Sequence, residues 1–199
     1  LSYNHITALP PNIFEGLGHM RTLNLRNNQI MALPLGIFNG LGHVQFLNLR
    51  NNQITYLEPN VFNGLGHVRS LNLTNNQITD LELDIFNGLE YLEYLNLENN
   101  QITELPPGIF EGLGNLIALT LSHNPIKVIY QSTYNFIQNN NLVIEGVDIN
   151  ALKRLPDEKY ISPLDQYALE MEGLHKGEIN GGKRNTKKRK QKGGKKSTK

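Results

Sequence analysis

The chain has 199 residues, 39% of them hydrophobic, with 19 basic and 18 acidic side chains and no cysteine. That excludes a disulfide scaffold and thiol chemistry, and no apolar run approaches the roughly 20 residues a membrane-crossing helix needs. The net charge of +1 averages two unlike parts: from Lys176 onward 11 basic residues face one acid, Glu178, which leaves residues 1–175 at −9 and the end at +10.

Residues 1–19 carry the later part of a repeating unit. Leu1, Asn4, Ile6, Leu9, Phe14 and Leu17 stand one full period before Leu25, Asn28, Ile30, Leu33, Phe38 and Leu41. The first unit is truncated, so the chain reads as a fragment and the lack of a signal peptide carries no weight. The stretch MRTLNLRNNQIMALPLGIFNGLGH then runs from Met20 to His43 and returns three times, at 44–67, 68–91 and 92–115, without insertion or deletion. A looser copy starts at Leu116. A fixed period of this length marks a solenoid.

Within each copy the L-x-L segment alternates, which is strand periodicity. Leu23 and Leu25 are expected to point inward, and Thr22, Asn24 and Arg26 outward. Stacked copies then form a parallel sheet with strands about 4.8 Å apart. The returning half, such as 32–42, takes more width than a strand, so the sheet side is concave. Ile30, Leu33, Ile37, Phe38 and Leu41 fill the interior, and Phe14, Phe38, Phe62, Phe86 and Phe110 make a core column. The column Asn4, Asn28, Asn52, Asn76, Asn100, Asn124 does not vary and sits where the chain leaves the strand. A side-chain amide offers donors and an acceptor to backbone groups that have lost a ladder partner, so this column reads as structural.

The repeat degrades after Asn124. Ile126, Ile129, Tyr134 and Ile137 keep apolar positions while the Gly and the Phe are lost. Leu142 and Ile144 read as a last strand reached one residue early, and Asp148 as the cap of a short turn through Leu155. Ser162-Pro163, then LDQYALEME and Gly173, predicts a helix with an N-cap, a first-position Pro and a Gly stop. Leu164, Tyr167, Ala168 and Met171 share one of its faces. The domain reading is therefore a solenoid over 1–138, a capping segment over 139–174 and a basic tail over 175–199, too poor in apolar residues to fold.

The frame L-x-x-L-x-L-x-x-N-x-I-x-x-L, followed by I/V-F-x-G-L, resembles the leucine-rich repeat family. The match is to the 24-residue type of Toll-like ectodomains, small leucine-rich proteoglycans and lamprey variable lymphocyte receptors. The resemblance implies an α/β-type repeat solenoid: a curved arc with its parallel sheet on the concave face, a short helical carboxy-terminal cap and a disordered tail. It also implies a module that binds a protein ligand. Animal extracellular members usually close their ends with disulfide-bonded caps; the lack of cysteine speaks against that setting, and localisation is otherwise open.

No phosphate-cradling glycine loop and no Ser-His-Asp pattern stands outside the repeat frame, and the acidic residues read as scattered over the solenoid surface. The expectation is a non-enzyme with neither cofactor nor metal. His19, His43 and His67 occupy one repeat position, but a straight column does not converge as a ligand set must, so a copied turn residue accounts for it. Asn72-Leu73-Thr74 matches a glycosylation sequon and reads as a chance product of the copied strand.

The outward strand positions are the binding candidates. One column runs Thr22, Phe46, Ser70, Tyr94; a central one Asn24, Asn48, Asn72, Asn96; a third Arg26, Arg50, Thr74, Glu98; Arg21, Arg69 and Glu93 lie beside them. The flanking columns vary although the frame does not, and exposed aromatics with Arg are typical binding anchors. Arginines dominate the amino-terminal coils and glutamates the fourth, so the face is expected to be polarised along the arc. A rival reading starts from Lys187-Lys188-Arg189-Lys190: with no aromatic interleaved, the tail would contact nucleic acid or an anionic surface without sequence preference, the solenoid acting as spacer. A third makes the chain the regulatory part of an enzyme whose catalytic domain lies upstream.

Overall fold

The computed structural model describes residues 1–169. The chain divides into two units, Leu1–Tyr160 and Ile161–Lys199. The first unit contains, in chain order, β1 (Thr22–Asn24), β2 (Phe46–Asn48), β3 (Ser70–Asn72), β4 (Tyr94–Asn96), β5 (Glu104–Leu105), β6 (Ala118–Thr120), β7 (Val128–Tyr130), α1 (Gln131–Asn139), β8 (Val143–Glu145) and β9 (Lys153–Leu155). Strands β1-β2-β3-β4-β6-β8 form one parallel sheet, and β5-β7-β9 a second that the periodicity did not predict. The result is a parallel-sheet solenoid, one coil stacked on the next.

Strands β1 to β4 are each three residues long with only the central Leu buried, as the L-x-L alternation requires. The core column continues through the turns: Phe14, Phe38, Phe62, Phe86 and Phe110 are all buried. Successive rings from Phe38 to Phe110 stack at 6.0, 6.3 and 6.2 Å. Strands in a sheet are about 4.8 Å apart. Coils spaced more widely on the Phe side than on the sheet side must curve, with the sheet concave. At one turn on the wide side backbone packs on backbone: a Cβ on Gly64, at φ +96°, would lie 2.5 Å from the Phe38 carbonyl oxygen.

The asparagine column ties coil to coil. Asn76 Nδ2 donates to Leu73 O in its own coil at 3.0 Å and to Leu49 O in the preceding coil at 3.1 Å. Its Oδ1 accepts from the Ile54 amide, also in the preceding coil, at 3.1 Å. Asn52, Asn100 and Asn124 repeat this set with the same spacing. Asn28, Asn52, Asn76 and Asn100 are buried. Each such amide satisfies three backbone groups at once, where a buried group left alone would cost about 1–3 kcal/mol.

A second ladder runs beside the first. Asn27, Asn51, Asn75 and Asn99 adopt φ of 55°, 54°, 56° and 52°, the left-handed region that Asn tolerates. Their side chains bond one to the next: Asn75 Nδ2 donates to Asn51 Oδ1 at 2.6 Å and Asn99 Nδ2 to Asn75 Oδ1 at 2.8 Å. Both residues of each Asn-Asn pair are therefore structural, for different reasons.

The last coils depart from expectation. Residues 131–139 form α1, a helix that no start signal announced; Tyr130 at its N-cap makes no side-chain cap bond. The aromatic column is not lost there, because Phe136 on α1 meets Phe110 at 6.5 Å. The last concave strand is reached one residue late rather than early: Leu119 pairs with Ile144, where an unbroken period would have set Val143. The helix fills the returning half of this coil and takes up the extra residue. Gly146 follows β8, where a Cβ would sit 2.4 Å from Ser122 Cα. Asp148 caps its turn as expected, accepting from the Asn150 amide at 3.0 Å, and the chain then enters β9. Residues 139–155 thus add a strand to each sheet.

In the second unit, residues 163–169 are helical. Ser162 is the N-cap, its Oγ accepting from the Asp165 amide at 3.1 Å. Leu164, Tyr167 and Ala168 are exposed; Met171, Gly173 and the basic tail lie outside the described residues.

The ladder makes a direct prediction. Asn76→Ala should lower stability by about 1–3 kcal/mol in urea denaturation, because Ile54 N–H and two carbonyls lose their partner. A parent-like midpoint would show that the amide does not carry this load.

Candidate interaction surface

The register places the outward residues in true columns. Thr22, Phe46, Ser70, Tyr94, Ala118 and Val143 lie side by side, as do Asn24, Asn48, Asn72, Asn96, Thr120 and Glu145. Phe46 and Tyr94 are 50% and 49% exposed, although the leucine after each is buried. Exposed Ile117 and Val143 join Tyr94 at the carboxy-terminal end, two positions the sequence reading did not name. Ile117 was legible by counting one period on from Glu93; Val143 was hidden by the change of coil length.

The central strip is held by its own backbone. Asn24, Asn48, Asn72 and Asn96 each accept, through Oδ1, the amide two residues on, at 2.9–3.2 Å. These Asx turns lead the chain out of the strand. Asn72 of the sequon is half-buried in this role, and Thr74 is only 3% exposed, its hydroxyl donating to Asn96 Oδ1 at 2.8 Å. Thr74, expected on the open face, is a buried contact between two longer neighbours.

The charges sort along the face, with one correction. Arg69 and Glu93 form an ion pair, so the change of sign is bridged in the middle. Arg26 lies over the Tyr3 ring at 4.8 Å, and Arg21 and Arg50 are exposed. Glu98 and Glu145 stand at the other end with no ion pair among the described residues.

His19, His43, His67 and Tyr91 follow one another with ring centroids 6.1, 6.0 and 5.6 Å apart, the last three parallel and His19 tilted by 41°. His43 Nδ1 lies 2.8 Å from Gly18 O and His67 Nδ1 2.6 Å from Gly42 O, contacts that hold the rings parallel. Parallel rings about 6 Å apart do not converge on one ion, and no cluster of three or more metal-binding side chains occurs among the described residues.

Four of the acidic residues are not scattered. Glu58 and Glu82 occupy one position of successive coils, and Asp80 and Glu104 another, so they gather beside the second sheet. The constant offset between their numbers carried that signal. Burial, then Asp80, raises the Glu104 carboxyl above the ordinary glutamate range. Burial, then Glu82, Glu58 and Asp80, raises the Tyr56 phenol. Burial, then Glu82, Glu104, Tyr130 and Asp80, raises Tyr160, which meets Tyr130 edge-to-face at 5.2 Å. A hollow of about 540 Å³ on the turn side is lined by Asp84, Glu111 and Asp157 over Phe86 and Ile109, and Asp157 Oδ1 there accepts the Ser132 amide at 3.1 Å.

A family profile described as leucine rich repeat matches residues 1–54, 18–78 and 66–126. The chain belongs to the leucine-rich repeat family, whose solenoids serve typically as protein-interaction modules rather than catalysts. No curated protein matches it. Among the described residues no helix is long and apolar enough to cross a membrane.

The acidic strip should show in the pH dependence of stability. A carboxyl whose pKa is raised by folding destabilises the fold when ionised, and the effect disappears below the pKa of the unfolded chain. Glu104→Gln should therefore raise the melting temperature at pH 7, with the gain shrinking toward pH 4. A gain that grew on acidification would contradict the assignment.

Proposed function

We propose that the concave sheet is a non-catalytic protein-recognition surface, read mainly by the residues of the varying columns. The observation that carries this reading is the half-exposure of Phe46 and Tyr94 on a sheet whose inward leucines are sealed. Large aromatics left in solvent on a strand face do nothing for the core, and aromatics with arginine dominate the energetics of protein interfaces. Arg21, Arg26 and Arg50 at one end and Glu98 and Glu145 at the other favour one orientation of the partner. The asparagine strip between them supports the backbone and supplies polar background.

The charge segregation of the sequence favours a second contact, in which the segment containing Lys187, Lys188, Arg189 and Lys190 holds nucleic acid or an anionic surface. The two readings separate in one experiment on a partner captured by the full chain. Arg26→Glu with Arg50→Glu should slow association and flatten its salt dependence, while Tyr94→Ala should speed dissociation. Asn63→Lys on the exposed turn side should change neither. Binding that ignores the concave substitutions and is lost on removal of residues 175–199 would overturn the concave-face reading in favour of the tail.

A further inference from the structure

The concave face has unequal ends. Near β2, Phe46 stands between Thr22 and Ser70, an isolated aromatic among small polar neighbours. At the far end the apolar side chains are contiguous. Tyr94, Ala118 and Val143 are register neighbours on β4, β6 and β8. The Val143 amide donates to Ile117 O at 3.1 Å, which sets Ile117 beside them. Tyr94, Ile117 and Val143 are 49%, 51% and 54% exposed. Three adjacent strands span about 10 Å, the width of one or two large side chains.

The charge around this patch is of one sign. Glu145 lies two residues and Glu98 four residues beyond the Tyr94 column, both on its carboxy-terminal side, and neither makes an ion pair among the described residues. The Thr120 hydroxyl donates to Glu145 Oε2 at 3.3 Å, which holds that carboxylate on the open side of the sheet. Beyond β3 the concave strand positions carry no basic residue, and Arg69, the last before it, is held by Glu93. The patch is thus apolar ground bordered on one side by carboxylates that no cation neutralises among the described residues. An acidic rim repels phosphate backbones and anionic lipid headgroups, and attracts ammonium and guanidinium groups.

We infer that this carboxy-terminal patch is the affinity centre of the face, and that its occupant is a polypeptide segment bearing an aliphatic or aromatic side chain flanked by Lys or Arg. The apolar side chain fills the space over Ala118 between Tyr94, Ile117 and Val143, and the flanking cations reach Glu98 and Glu145. This rests on the concave-face reading and adds the location and chemistry of its anchor. Burial of the apolar contact governs residence, and the carboxylates govern approach and selectivity.

The test is selection of short random peptides displayed on phage against the immobilised full chain, followed by affinity measurement with synthetic peptides. The expected winners place Lys or Arg next to Leu, Ile, Phe or Trp. Val143→Glu should weaken them at least about tenfold, as should Glu98→Lys with Glu145→Lys; Phe46→Ala and Arg50→Glu should cost clearly less than Val143→Glu, and Asn63→Lys on the turn side should change binding by less than about twofold. All these positions are at least partly exposed, and each variant is checked against the parent by circular dichroism and thermal melting. Peptides lost on Phe46→Ala and Arg50→Glu but not on Val143→Glu would overturn the inference and leave the concave-face reading standing. Peptides indifferent to both sets would remove both. Winners without basic residues, or no winners at all, would also overturn the inference.

Discussion

The structure depends on one constraint: at every coil the chain must leave a three-residue strand and turn, and the turn leaves backbone groups inside with no ladder to join. The asparagine amide is the answer repeated from Asn28 to Asn124. It takes one amide and one carbonyl from the coil before and one carbonyl from its own, all at 2.9–3.1 Å. No other neutral side chain of that length both donates twice and accepts. Leu25, Leu49, Leu73 and Leu97, whose carbonyls it holds, are fully buried, so the same bonds fix the leucine core.

With the coils locked from inside, the outer faces are relieved of structural duty to different degrees. The convex turns are not free, since the phenylalanine rings stack beneath them and Gly64 packs against the Phe38 carbonyl. The central concave asparagines are half committed through their Asx turns. The positions two residues before them carry no such duty, and there Thr, Phe, Ser, Tyr, Ala and Val succeed one another. Variation inside a fixed frame thus falls where the structure asks least of the side chain. That is the physical basis for reading the face as one that recognises.

The solenoid was legible in the sequence because its period is rigid: every step of it places Leu over Leu and Asn over Asn, and both columns emerged as read. What escaped lay outside the period. Helix α1 has no side-chain cap and no acidic first turn, so nothing local marked its start; it forms because Thr133 and Ile137 bury against the preceding coil, where the Thr133 hydroxyl donates to Pro106 O. That helix lengthens the coil and moves Val143 onto the concave face. Thr74 was misread because alternation gives direction but not the height of its neighbours. The acidic strip and the second asparagine ladder were present in the same constant offset, and needed columns counted across every position rather than those of the frame.

Hydrogen exchange in the native state tests the central claim most directly. The amides of Ile30, Ile54 and Ile78 have only a side-chain acceptor, Oδ1 of Asn52, Asn76 and Asn100, each at 3.1 Å. The amides of Leu49 and Leu73 bond to backbone carbonyls of the next coil at 2.8 Å. If the asparagine column closes the core as the sheet does, the isoleucine amides should exchange as slowly as the leucine amides, through the same cooperative opening. Isoleucine amides that exchanged at the rate of exposed turns, while the leucines stayed protected, would contradict it.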